Sequence, residues 1–340
     1  MIRSPKIRWR GRVLASVAVV LALPAGSSPT TPEAAVVFPP SPEIARVRYV
    51  DSIRDDARFR APEPWWRKLF GLVAGRRAPF NLVRPYGVDA TPEAVWVCDP
   101  GAHVVHGFRS DSTYVRIPRD GVFSSPIDVA VDARGNLHVT DSVLGTVTCW
   151  SPSGEPLFAH ETSFARPTGI AYHAGRDRLY VVDTVAHTIA IHTPDGRSVG
   201  AFGARGDGPG DLNFPTAIDV TADGRLLVTD AMNFRVQVFD ADGRFEREIG
   251  HLGDGPGTFS KPKGVASGPD GHVWVVDAML DGVQVFDAAG DLLLAFGHEG
   301  RGAGEFWLPA GIDVSDAGTV YVADSWNQRI QVFQYLEEVR

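Results

Sequence analysis

Residues 215–249 read PTAIDVTADGRLLVTDAMNFRVQVFDADGRFEREI, and this stretch decides the architecture. Ala217-Ile218-Asp219-Val220 is a short strand, followed by the tight turn Ala222-Asp223-Gly224-Arg225. Leu226-Leu227-Val228-Thr229 is a second strand, ended by Asp230. Arg235 to Phe239 alternates apolar and polar residues, the period of a half-buried strand. Ala241-Asp242-Gly243 turns the chain again, and Arg244 to Ile249 forms a more polar fourth strand. Four strands of falling hydrophobicity joined by Asp-Gly turns make a unit that is buried at one edge and meets water at the other.

The same phrase recurs on both sides. Its prolines are Pro85, Pro126, Pro167, Pro215, Pro262 and Pro309, spaced 41, 41, 48, 47 and 47 residues. The aspartates that end the second strand are Asp99, Asp141, Asp183, Asp230, Asp277 and Asp324, spaced 42, 42, 47, 47 and 47. A fixed period in this range marks a repeat architecture, and four-stranded units of this kind are propeller blades. The expected fold is an all-β, six-bladed propeller over residues 85–340.

The last repeat has only seven residues after Phe333, too few for a fourth strand and its loop. An unassigned strand, Ile44 to Val50, alternates like the outer strands Arg244–Ile249 and Leu292–Phe296. Residues 43–53 are therefore expected to complete the sixth blade, closing the ring and covering an open sheet edge.

Residues 1–26 stand outside this pattern. Arg3, Lys6, Arg8, Arg10 and Arg12 precede an apolar run of 11 residues, Val13 to Leu23, which is short for a bilayer span. Pro24-Ala25-Gly26-Ser27 supplies small residues for cleavage, so the segment reads as a secretory signal, with an uncleaved anchor as its rival. A Pro-rich leader, 27–42, follows. The chain is thus expected to be exported, periplasmic or extracellular. Net charge is −8, and without 1–26 it is −13, from 28 basic and 41 acidic residues. An acidic chain is a poor counterion for nucleic acid, which is excluded as a partner. Cys98 and Cys149 occupy non-equivalent places in adjacent repeats, and two separate buried thiols are the favoured reading over a disulfide.

Ala231 to Phe239 and Ser325 to Phe333, with the loops Gly206-Asp207-Gly208-Pro209-Gly210 and Gly300 to Phe306, resemble NHL repeats. The resemblance spans residues 84–335 and is closest to exported bacterial six-bladed propellers of that family. Blades 1–3 depart from it, with Ala102, Leu144 and Ala186 where blades 4 and 6 have Asn233 and Asn327, and blade 5 has Leu280 there and Gly282 at the Arg position. Related amidating lyases imply zinc-binding histidines immediately after the repeat proline. Those positions here are Tyr86, Ile127, Thr168, Thr216, Lys263 and Ala310, so no zinc ligand carries over. Lactonase-type propellers imply a Glu, Asn and Asp on calcium, and only Asp128 stands near the mouth as a lone candidate.

The repeated aspartates are expected to be structural, accepting hydrogen bonds from turn N–H groups. His103, His187 and Asp281 suit zinc by type but lie on alternate blades, away from the axis and too far apart to share an ion. The other histidines show no ligand spacing. No cofactor is expected.

Function is therefore sought in residues that do not repeat. In an antiparallel blade the turn after the second strand shares a face with the loop leading into the proline. That face carries Met232, Phe234, Met279, Leu280 and Trp326, with Phe306 and Trp307 near them and Tyr86 and Lys263 at the channel mouth. Several large apolar residues on one face mark a partner surface. The overlong interval 54–84 belongs to the same face. Pro64-Trp65-Trp66-Arg67-Lys68-Leu69-Phe70 and its continuation to Gly75 predict a short helix with a broad apolar stripe. This insertion can plug the channel, dock a partner, or touch a membrane surface through 64–73. The expected function is non-enzymatic binding of an envelope or extracellular protein. A metal-dependent lyase or lactonase-like hydrolase at the channel mouth is the alternative.

Overall fold

The computed structural model describes residues 35–40, 43–55, 80–118 and 123–336. The signal expected over 1–26 and the helix expected around Trp65, Trp66 and Phe70 lie outside the described residues.

Six antiparallel sheets follow one another along the chain, five of them with four strands each. Blade 4 shows the pattern: Pro215–Val220 innermost, then Leu226–Asp230, Arg235–Phe239 and Phe245–Ile249. The second strand is fully buried, whereas the outermost alternates between exposed and buried, as its composition requires. The innermost strands of neighbouring blades pack against each other in a closed ring, blade 6 against blade 1. The chain is thus an all-β six-bladed propeller. Apolar side chains from adjacent sheets fill each seam. Val236, Val238 and Ile249 of blade 4, for example, meet Val265, Val273 and Val275 of blade 5. Each such buried side chain contributes about 1.5–3 kcal/mol. Helix among the described residues is limited to two single 3-10 turns, Ala231–Asn233 and Ser325–Asn327. None of the described helices is long and apolar enough to cross a membrane.

Blade 6 is built from both ends of the chain. Ile312–Val314, Thr319–Asp324 and Arg329–Tyr335 are joined by Val47–Ile53, which runs antiparallel to the last, from Val47 opposite Tyr335 to Ile53 opposite Ile330. The strand begins and ends three residues later than the alternation Ile44 to Val50 indicates. Within it the register shifts between Tyr49 and Asp51. It leaves Val50 exposed while Val47 and Ile53 both reach the core. A further two-residue strand, Val37–Phe38, pairs outside it. The Phe38 ring lies 5.1 Å from that of Phe296, so the end of the leader is pinned across the seam between blades 5 and 6.

Two faces result. The inner strands start, and the second strands end, on what is called here the proline face. The Asp-Gly hairpins turn on the opposite face, where acidic side chains outnumber basic ones.

Candidate functional site

Each repeated aspartate ties the turn that follows it to the loop that precedes the proline. Asp99 accepts from the N–H groups of Val83 (2.6 Å) and Arg84 (2.9 Å). Asp141 does so from Ser124 and Ser125, Asp183 from Ala165 and Arg166, and Asp277 from Ser260 and Lys261. Asp230 and Asp324 add side-chain donors. Asp324 receives Arg329 Nε (2.7 Å), Gln331 Nε2 (3.0 Å) and Asn327 Nδ2 (2.9 Å). Arg329 in turn donates to the carbonyls of Gly302 and Glu305. The Asn-x-Arg-x-Gln pattern of blades 4 and 6 therefore exists to hold the Gly-rich loop. Phe306 of that loop is buried in the core beneath it.

The positions four residues after these aspartates do related work. His103 Nδ1 lies 2.7 Å from the Ser124 carbonyl, His187 Nδ1 accepts from Phe214 N (3.1 Å), and Asp281 accepts from Leu308 N (2.7 Å). All three have left-handed backbone conformations, with φ between 44° and 60°. They fasten successive loops and stand apart from one another. Among the described residues no three His, Cys, Asp or Glu groups converge to hold a metal ion. Cys98 and Cys149 are free, buried thiols.

The central channel differs sharply between its ends. Toward the hairpin face it opens into a cavity of about 1570 Å³ lined by the inner strands. Among the carboxyl groups that line it, four stand on the inner strands: Asp89, Asp128, Asp219 and Asp313. Each accepts a backbone N–H from the inner strand of the next blade: Val131 (2.9 Å), Ile170 (3.1 Å), Ser267 (2.7 Å) and Ala90 (2.7 Å), respectively. Burial pushes Asp128 up to about 8, Asp219 to about 7 and Asp313 to about 6. Burial, and then the charge of Asp313, raises Asp89 well above the usual carboxylate range. Each group keeps partial contact with the channel, so water reaches the ring. Around neutral pH these carboxyls share protons rather than all being charged.

Toward the proline face the channel closes to a recess of about 30 Å³. Backbone causes the constriction. A Cβ on Gly311 would stand 2.2 Å from the Tyr86 carbonyl, and one on Gly169 would stand 2.7 Å from Ala217 Cα. Glycine alone lets the strands approach this closely. Tyr86, Thr216, Lys263 and Asp128 line the recess. Lys263 Nζ sits 6.0 Å from the Tyr86 ring centroid, at the outer limit of a cation–π contact.

Around this closed mouth stands an apolar ring. The second residue after the repeated Asp is Val143, Val185, Met232, Met279 and Trp326 in blades 2 to 6, and these side chains are 47–70% exposed. Only blade 1 breaks the series, with Gly101. The candidates are not equivalent. Met232, Met279 and Trp326 project outward, and Trp326 stacks against Trp307 at 5.6 Å with Arg84 over its ring. Phe234 is half-buried against the core between blades 4 and 5, and Leu280 is half-buried.

A second buried polar cluster lies between blades 2 and 3. Asp132 Oδ2 is 3.3 Å from His138 Nε2, His138 Nδ1 is 3.0 Å from His160 Nε2, and His160 Nδ1 is 3.3 Å from His192 Nδ1. Asp132 can only accept, which assigns a single donor direction along the chain and leaves the buried Nε2 of His192 as an acceptor with no partner. Burial, then the neighbouring imidazoles, lowers His160 to about 3.

Asp89, Asp219 and Asp313 escape the sequence reading, which isolates only Asp128. A signal was available: each stands four residues after its proline and breaks an otherwise apolar inner strand. The histidine chain had none, since its members are scattered over two repeats.

Comparison with known proteins agrees with this architecture. Residues 306–333 match the NHL repeat, and residues 216–266 match a family described as a 6-bladed beta-propeller. The chain is a six-bladed β-propeller whose last blade matches the NHL repeat. No curated protein matches it significantly. Among solved structures it is similar to virginiamycin B lyase from Staphylococcus aureus (TM-score 0.55, 16% identity, covering 76% of this chain and 98% of that one). It is also similar to a putative gluconolactonase (0.58, 16%, 76% and 91%) and to a chain of a nidogen/laminin complex (0.55, 18%, 73% and 90%). At these identities the likeness is one of fold.

Proposed function

We propose that this propeller is a non-catalytic docking module that binds another exported or envelope protein through its proline face. The observation that carries the reading is the apolar ring of Val143, Val185, Met232, Met279 and Trp326. Most positions near it repeat for structural reasons, yet this one is apolar and exposed in five successive blades. Contiguous apolar surface rimmed by polar residues is characteristic of interaction sites. The basic, apolar start of the chain supports export, and the overlong interval 54–84 begins and ends on this same face.

The test is recovery of partners from an extract of the source organism by the mature chain. The triple variant Met232→Ser/Met279→Ser/Trp326→Ser is expected to lose a partner that a hairpin-face variant, Leu157→Ser, retains. Equal recovery by both would remove the ring from the proposal.

A second reading, a metal-dependent lyase or lactonase-like hydrolase, has the four channel carboxyls in its favour. No three donor groups converge among the described residues, so no catalytic step is assigned to a metal here. Stoichiometric zinc or calcium in the purified protein would move the function into the channel.

A further inference from the structure

We infer that the mouth on the proline face is a receptor for a carboxylate carried on an acidic, apolar-flanked protein segment. This rests on the docking reading above and adds the chemistry of the partner. At the rim of the mouth the charge runs against that of the chain, whereas Asp207, Asp254 and Glu299 stand further out on the Gly-rich loops of the same face. Arg84, Arg166 and Lys261 immediately precede repeat prolines and are exposed, and Lys263 immediately follows one. The residues flanking the six prolines, and the three that follow each repeated aspartate, include no acidic side chain. In a chain of net charge −8, such a zone attracts an anion that the rest of the surface repels.

The recess inside the ring adds shape to this charge. Lys263 makes no ion pair among the described residues, and Tyr86 stands beneath its ammonium. Thr216 Oγ1, in the wall of the same recess, is buried without a hydrogen-bond partner. An unused hydroxyl and an unpaired ammonium that both line this recess are two donors for one carboxylate, and bonds to a charged acceptor are the stronger kind. At about 30 Å³ the recess holds a group the size of a single carboxylate or water molecule. Asp128, which also lines it, accepts the Ile170 N–H through Oδ2 and is pushed up to about 8 by burial, so its repulsion of the ligand is reduced. The donors sit within the ring, where a protruding side chain reaches them and a flat lipid surface does not. The ring of Met232, Met279 and Trp326 then covers the apolar flanks of the segment.

The probe is a fluorescent random copolymer of glutamate and tyrosine, titrated against the protein with residues 1–26 removed. Saturable binding is expected, weakening several-fold between about 50 and about 500 mM salt. Lys263→Gln is expected to lower affinity about tenfold, equivalent to about 1.4 kcal/mol, and Lys263→Arg to recover part of it. An unchanged thermal midpoint in both variants shows that the fold is intact. No binding of the copolymer, or equal binding by Lys263→Gln, overturns the inference. So does binding to vesicles with about a quarter phosphatidylglycerol in place of the copolymer, which identifies a lipid surface instead. The two readings separate cleanly. If the triple serine variant loses its native partner while Lys263→Gln keeps it, docking on the ring stands and the carboxylate receptor falls.

Discussion

The two ends of the channel use the same six strands to opposite effect. Toward the hairpin face the strands diverge and carry Asp89, Asp128, Asp219 and Asp313 around a wide cavity. Toward the proline face they converge on glycine, and the charged residues that flank the prolines are all basic. The contrast teaches that the repeat supplies geometry and its exceptions supply chemistry. Three of the four channel carboxyls occupy one register, the fourth residue after the proline, in blades 1, 4 and 6. The equivalent residues in blades 2, 3 and 5 are Ala130, Ala171 and Ala266. A six-fold scaffold thus carries an uneven ring.

The largest test of the contrast is steric. Gly311→Val places side-chain atoms where the Tyr86 carbonyl already stands, and it is expected to cost about 3 kcal/mol, read as a lower urea midpoint. Wild-type stability in this variant would mean that the narrow end yields and is not a fixed constriction.

A smaller effect separates the interior by pH. Asp219 and Asp313 have folded-state values raised to about 7 and about 6. Groups of this kind favour the fold fully below their unfolded value near 4, and that contribution is lost as pH rises through 4 to 7. Asp219→Asn/Asp313→Asn is therefore expected to flatten the decline in stability across this window. The difference is on the order of 1–2 kcal/mol, reduced because water enters the channel. Denaturant midpoints at pH 5 and pH 8 check it, and an unchanged slope would show that these carboxyls are ionised in the fold.

The histidine chain of blades 2 and 3 has the opposite sign. His160 is lowered to about 3, so the unfolded chain takes up a proton first as pH falls from about 6.5, and stability is lost toward acid. His160→Gln keeps a donor and an acceptor without the titration. It is expected to reduce the acid loss between pH 7 and pH 4 by about 1 kcal/mol, read from the same midpoints. Asp132, whose carboxyl lies at about 2, still titrates, so the loss is lessened and not abolished. An acid limb equal to that of the wild type would show that the imidazole chain opens before it protonates.

How much of this was legible follows from where each signal lies. The blades were legible because a period and a strand alternation are local properties of the chain. The closing strand was legible as a missing fourth strand, but its register was not, because that depends on pairing with Arg329–Tyr335 at the far end of the chain, where Tyr49 packs 5.7 Å from the Phe333 ring. The apolar face was legible in Met232, Met279 and Trp326. Its completion as a ring by Val143 and Val185 was not, since a single valine in a turn says little alone. Phe234 looked like its neighbours in the turn, yet the left-handed backbone at that residue (φ 56°) accompanies a ring packed toward the core.

The amino-acid sequence by itself determined the number of blades, their strand order, and the aspartates that bind each turn to the preceding loop. All of these depend on residues close together in the chain. Only the tertiary structure decided which side chains meet across the seams and around the axis. Asp89 and Asp313 are 224 positions apart and become neighbours because the ring closes. His138, His160 and His192 touch because the sheets of blades 2 and 3 pack face to face. The basic mouth and the acidic cavity become two ends of one channel because six strands run in the same direction, and no single repeat contains that fact.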